Sequence, residues 1–339
     1  MEHGNRKNSH VFFISMSLLF VAIFFISFAL GRYPIPPQTV LKVLLSKIFP
    51  IAETWNKSVE TVIFQIRIPR IIAAIFIGSA LSLSGLTFQG LFQNPMVSPD
   101  VLGTSNGAAF GAAIGILLNM HYAGIVTTSF LTGIGAVILV LAIASRVPSM
   151  PVLGMVLSGI MVSSLFTSLV SFIKLIADTQ NTLPAITYFL MGSLSSIRSS
   201  DTVFLVIIIT LSTIPIILIR WHLNVMTQGE EEAKSLGVNT RVIRLIAISS
   251  ATLMTSVTVA VAGMIGWVGL VIPHLTRMCL GCDYRKTIPG SIIMGSTFLL
   301  LVDTIARNIS TIEIPLGILT SFVGAPFFLY LIIREGKKL

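Results

Sequence analysis

Residues 101–145 contain no Asp, Glu, Lys or Arg, and neither do residues 245–276. Stretches like these constrain the fold more than any other feature of the chain. A soluble domain cannot bury them, whereas an apolar helix of about 20 residues spans the ~30 Å hydrocarbon core of a bilayer. Charge-free runs place membrane helices at roughly 11–31, 71–92, 102–118, 124–145, 151–173, 202–220, 242–264, 267–281, 287–306 and 315–333. The first long stretch needs two passes, broken at Asn119–Gly124. The second, as one helix at about 1.5 Å per residue, would be some 48 Å long. Arg241 and Arg244 precede it, and Arg277, Arg285 and Lys286 follow it. Basic flanks mark the cytoplasmic side, so the chain crosses an even number of times between them, with Gly263, Gly266, Gly269 and Pro273 supplying the break. The expectation is an all-α polytopic membrane protein. Residues 1–339 form one transmembrane domain of about ten helices, with short outer-face and cytoplasmic helices and both termini cytoplasmic.

The N-terminal residues carry Arg6 and Lys7 and lead into Val11–Leu30, which has no charge. That run exceeds the apolar region of a signal peptide and is expected to be the first span. Asn181–Ile197, with Pro184, is too short to cross and is expected to be an outer-face or re-entrant helix.

With 54% hydrophobic and 10% charged residues in 339, the composition agrees with a membrane protein. The net charge of +9 comes without a dense basic run, which argues against nucleic-acid binding. Arg32, Lys42, Lys47, Lys57, Arg67 and Arg70 all fall between the first two helices, outside in this topology and against the positive-inside trend. The C-terminal Arg334, Lys337 and Lys338 fit the inside. Cys279 and Cys282 form a lone C-x-x-C without the further ligands that a zinc site needs, so no metal site is expected.

Gly103, Gly107, Gly111 and Gly115 recur every fourth residue, a spacing that lets another backbone approach one face of a membrane helix. The same stretch matches G-x-S-x-G at Gly103–Gly107. The hydrolase elbow of that pattern needs a strand–turn–helix setting and a nearby base, whereas Ser105 opens a membrane helix with His121 at its other end. An intramembrane serine hydrolase using Ser105 is the rival reading from another class, and a secondary transporter is a third. No P-loop is present, so the chain has no ATP site of its own. Intramembrane ionisable groups are functional candidates, but Lys174, Asp178, His274, Asp303 and Arg307 are too sparse for a proton relay. Asp303 and Arg307, at i and i+4, can bridge on one helix face.

One water-soluble island interrupts the apolar chain at Met226–Thr240. It reads as two helices around a turn. Glu230, Glu231 and Glu232 suit the positive end of a helix dipole, Gly237 suits a left-handed cap, and Asn239 or Thr240 can cap the following span. Such an insert presents itself to something in the aqueous phase.

Taken in order, Arg67–Arg70, Gly78–Gln89, Asn94–Met96, Ser98–Gly103, Ser105–Gly107, Leu236–Gly237, Gly266–His274, Arg277, Asp303–Arg307, Pro315–Gly317 and Gly324–Pro326 form a specific pattern. The chain resembles the permease subunit of vitamin B12 and iron-siderophore type ABC importers from about residue 30 to the C-terminus. The resemblance implies a ten-helix subunit in a homodimer or pseudo-symmetric heterodimer. It also implies two separate ATPase subunits holding ATP and Mg, an extracytoplasmic substrate-binding protein, and a bacterial cytoplasmic membrane location. It makes the island the ATPase-coupling element, with Gly229, Glu230, Glu231, Glu232, Ala233, Leu236 and Gly237 as contact residues. Arg67, Arg70 and Arg307 would dock the binding protein, and Asn94 and Met96 would narrow the pathway at its cytoplasmic side. The chain itself would hold no cofactor and catalyse nothing. Iron-siderophore is the expected substrate on frequency within the family, with haem, cobalamin and molybdate as alternatives. Cys279 and Cys282 depart from the pattern.

Overall fold

The structure, a computed structural model, describes residues 2–31, 33–47, 49, 55–146, 151–310 and 312–336. Every regular element among them is helical. In chain order these are α1 (Glu2–Ala29), α2 (Pro37–Leu45) and α3 (Lys57–Thr61), which continues through a π-helical stretch, Val62–Arg67, into α4 (Ile68–Leu91). A 3-10 turn (Pro99–Leu102) precedes α5 (Thr104–Leu117), α6 (Tyr122–Ala144), α7 (Pro151–Ile176) and α8 (Thr182–Leu190). Then come α9 (Ser199–Leu218), α10 (Arg220–Met226), α11 (Glu230–Ser235), α12 (Thr240–Ala262), α13 (Val268–Leu280), α14 (Tyr284–Asn308) and α15 (Leu316–Gly336).

Seven helices among the described residues are long and apolar enough to cross a bilayer, the longest continuous one being Lys57–Leu91. The remaining three expected passes correspond to α5, α13 and α15. The expected span at 71–92 begins too late. The helix starts at Lys57 and carries Arg67 and Arg70 inside it, because both guanidiniums find partners within the bundle. Arg32, Lys337 and Lys338 lie outside the described residues, as do the side chains of Arg6, Lys7 and Arg334.

The chain turns where its backbone can leave the helix without stranding polar groups, which lipid would punish. Asn119 takes φ 51 between α5 and α6. Between α12 and α13 the break lies at Gly263–Trp267, where Gly263 has φ 70 and Trp267 φ 68. The Ser193 N–H donates to the Ala262 carbonyl at 2.8 Å and so satisfies the end of α12. Two residues expected to make that break do not. Pro273 sits inside α13, and Gly269 serves packing.

α4 is the central helix. Its neighbours are α9, α12, α13 and α14, and 83% of its most apolar stretch is buried. Two glycine pairs set the approach. A Cβ at Gly78 would overlap the Gly295 carbonyl on α14, and a Cβ at Gly85 would overlap the Gly269 carbonyl on α13. The periodic row on α5 does a separate job. Gly107 and Gly111 face Thr132 and Thr128 on α6, Gly115 faces Ile125, and Gly103 lies against Ser163 of α7.

Gly85→Leu is therefore expected to destabilise the protein by more than the ~1–3 kcal/mol typical of core overpacking, since backbone is what obstructs it. Gly135→Leu, where a Cβ meets nothing within 4 Å, serves as control. Thermal unfolding in detergent measures both, and equal midpoints would refute the packing argument.

Candidate functional site

The polar insert folds as a short helix pinned on one side. Gly229 enters α11 at φ 136 and Gly237 leaves it at φ 77, a left-handed value that glycine adopts at no steric cost. Asn239 Oδ1 accepts from the Val242 N–H at 3.2 Å and caps α12. Ala233 and Val238 face inward, at 0% and 5% exposure. Glu231, Glu232, Lys234, Ser235 and Leu236 face out. Leu236 is 62% exposed at the tip of a polar segment, the kind of anchor a protein partner covers.

Glu230 behaves differently from its two neighbours. Arg244 Nη2 of α12 donates to its Oε2 at 2.8 Å, the Thr240 hydroxyl donates to Oε1 at 3.3 Å, and Lys234 Nζ lies 3.5 Å from Oε1. Burial pushes the carboxyl pKa up, but the Arg244 hydrogen bond and the charges of Arg244 and Lys234 outweigh it and hold the group below its ordinary value. Glu230 is thus an ionised clamp between α11 and α12.

Three further ties reach the membrane helices. Gln93 Nε2 donates to the Met226 carbonyl at 2.8 Å and joins the end of α4 to the end of α10. Asn224 Nδ2 donates to Asp283 Oδ1 at 2.8 Å, and Asn224 Oδ1 accepts from the Tyr284 N–H at 2.8 Å, which fixes α10 to the start of α14. The Tyr284 hydroxyl donates in turn to the Leu86 carbonyl of α4 at 3.1 Å. Asn94 Oδ1 accepts from the Met96 N–H at 2.9 Å, so the candidate gate residues form a tight turn directly after Gln93, which holds φ 49. Met96 is 54% exposed. Behind this turn Arg277 of α13 donates to Gln89 Oε1.

Gln93 and Asn224 were not among the residues singled out in the sequence. The available signals were modest: a polar residue next to Asn-Pro, and an amide in the otherwise apolar end of α10.

At the opposite end of the bundle the three candidate docking arginines turn inward. Arg67, Arg70 and Arg307 are 3%, 6% and 7% exposed. Arg70 Nε pairs with Asp303 Oδ1 at 2.9 Å and Arg70 Nη1 with Glu313 Oε2 at 2.9 Å. Arg307 Nε lies 3.2 Å from Asp303 Oδ2, and its Nη2 donates to Ser27 Oγ at 3.0 Å. Arg67 donates to the Phe28 carbonyl and, at 2.5 Å, to the Tyr33 carbonyl. The i, i+4 bridge expected of Asp303 and Arg307 is present. These cations are engaged with α1, α14 and the segments that follow α1 and precede α15, which leaves them little free surface for the docking role that the resemblance implies. Lys42, Lys47 and Lys57 are the described cations of this segment that remain exposed.

The Ser105 hydroxyl donates to Asp100 Oδ1 of the preceding 3-10 turn and not to a histidine, and His121 lies beyond the other end of α5, roughly 20 Å along its axis. Cys279 and Cys282 are exposed free thiols around the end of α13.

Residues 19–334 match the FecCD transport family. Among curated proteins, the chain is 36% identical over 313 residues to the molybdate import system permease protein MolB of Haemophilus influenzae, covering 92% of each. It is 32% identical over 320 residues to the iron(3+)-hydroxamate import system permease protein FhuB of Bacillus subtilis, covering 93% of this chain and 81% of that one. A solved metal-chelate type ABC transporter in an inward-facing conformation superposes with a TM-score of 0.85 at 35% identity, over 96% of this chain and 99% of the other. Fold, length and sequence agree along almost the whole chain, which belongs to the FecCD transport family as a non-catalytic ABC-importer permease whose ATP hydrolysis is done by a separate subunit.

Proposed function

We propose that the chain imports an iron chelate, an iron-siderophore above all, handed over by a substrate-binding protein at the face away from Met226–Thr240. Two copies form a homodimer around the pathway in a bacterial cytoplasmic membrane, with both termini and the insert in the cytoplasm. The insert is the coupling element on which the ATPases push. The observation that carries this reading is its two-sidedness, with Leu236 exposed at 62% and Glu230 bound to Arg244 at 2.8 Å on the other side. A load on the outer face reaches α12 through Glu230, α4 through Gln93 and α14 through Asn224. Closure of the ATPases then tilts those helices and shifts access between the two faces. The Asn94–Met96 turn, attached to Gln93, is the element proposed to narrow the cytoplasmic side. The likeness to a metal-chelate transporter supports the substrate class. The MolB relative supports a second reading, import of the molybdate oxyanion.

Leu236→Asp should abolish coupled transport in proteoliposomes while the dimer stays intact by size-exclusion chromatography. Wild-type uptake by that variant would remove the coupling assignment. Gln93→Ala deletes one neutral hydrogen bond worth about 1 kcal/mol, so transport per ATP hydrolysed should fall about fivefold. An unchanged ratio would show that the Met226 tie transmits nothing. For the substrate, proteoliposomes with the cognate binding protein and ATPase should take up radiolabelled ferric siderophore. Uptake of labelled molybdate instead would establish the second reading.

A further inference from the structure

A cavity of about 840 Å³ opens at the insert end, where α6, α7 and α12 meet the flank of α11. Its inner wall is membrane-helix surface: Leu141, Ala144, Met155, Leu245 and Ile248. Its rim carries Lys234, Arg241 and Arg244 against Glu230 and Glu231. The two acids are already engaged, Glu230 by Arg244 and Lys234, and Glu231 by Lys234 at 3.1 Å. Arg241 is exposed and makes no ion pair among the described residues, so the rim keeps one cation in excess. The Glu230–Arg244 clamp forms part of its edge, but the apolar wall takes no part in that clamp.

We propose that the cavity binds one anionic phospholipid of the cytoplasmic leaflet, with the phosphate at Arg241 and Arg244 and the acyl chains along Leu245, Ile248 and Leu141. The amphipathic walls select that occupant. A free phosphate needs the arginines but leaves the apolar wall wet, and a zwitterionic lipid fills the wall and brings the same phosphate but adds an ammonium to a rim that already has one cation in excess. Basic pockets between membrane helices at the cytoplasmic surface take anionic head groups for this reason. Because Arg244 also holds Glu230, the lipid would sit beside the hinge between α11 and α12. The placement rests on the orientation given above, but its test needs no transport and so fails or succeeds separately.

The full-length protein, purified in a neutral detergent, is titrated with phosphatidylglycerol or phosphatidylcholine and followed by native mass spectrometry. One phosphatidylglycerol per chain should be retained in preference to phosphatidylcholine. Arg241→Gln should weaken that binding about fivefold, while Arg285→Gln, at another exposed cation of the same end, should not. Millimolar inorganic phosphate or glycerol phosphate should fail to displace the lipid. Equal retention of the two lipids, an unaffected Arg241→Gln, or an equal loss in Arg285→Gln would overturn the site. Displacement by inorganic phosphate would assign it to a free anion. Loss of the lipid when the permease is isolated with its ATPase would assign the cavity to that protein instead.

Discussion

The close approach of backbone to backbone along α4 is the contact on which the rest of the bundle depends. Between helices in lipid the hydrophobic effect supplies little, so association rests on dispersion contacts and interhelical hydrogen bonds. Gly78 against Gly295 and Gly85 against Gly269 bring α14 and α13 onto α4 at distances that any side chain would forbid. At that range hydroxyls reach across as well. Ser82 donates to the Ser291 carbonyl at 2.7 Å, Ser296 to the Ile75 carbonyl at 2.9 Å, and Ser84 lies 2.9 Å from the Thr255 hydroxyl of α12. The two bonds between α4 and α14 depend on the approach that Gly78 and Gly295 allow.

The buried charges follow the same logic. Arg70, Asp303 and Arg307 would be costly inside a bilayer as separate ions, and they occur where α4 and α14 are already held together by Gly78 and Gly295. Asp303, at 0% exposure, lies between two guanidiniums. Removing one partner of such a buried pair typically costs about 3–5 kcal/mol, which makes this end of the bundle stiff.

Length and charge made most of the fold legible. The runs 151–173 and 242–264 fall inside α7 and close to α12 because nothing in them competes with a membrane helix. The same rule fails at Arg67 and Arg70, since a charge marks the end of a span only if it lacks partners in the bundle, and these lie far along the chain: the Phe28 and Tyr33 carbonyls for Arg67, Asp303 and Glu313 for Arg70. Periodicity exposed the row from Gly103 to Gly115, whereas Gly85 and Gly269 have no shared period and meet only after folding. Pro273 reads as a break, yet the chain departs at Gly263, where the Ser193 N–H donates to the loosened Ala262 carbonyl. The insert was visible by polarity alone. Its attachments were not, because Gln93 and Met226 are 133 positions apart and neither is unusual locally.

The two ends of the bundle are held by different kinds of bond, and this bears on which end can move. At the Arg70–Asp303–Arg307 end, separating helices exposes unpaired ions. At the insert end, Gln93–Met226 and Asn224–Asp283 are one neutral amide bond and one amide–carboxylate bond, worth roughly 1–3 kcal/mol each, and the Glu230–Arg244 ion pair is partly exposed, so water can replace all three more cheaply than it can the buried ions. α11, with six residues, is too short to absorb a push by bending. A load applied there must therefore pass into α4, α12 and α14 or break those bonds, and it meets least resistance at their near ends. Under the proposed coupling, a pivot fixed by buried charge and a compliant end tied by neutral and surface bonds turn a local push into a tilt. A bundle locked by ion pairs at both ends would resist the push, and one with neutral ties at both ends would splay.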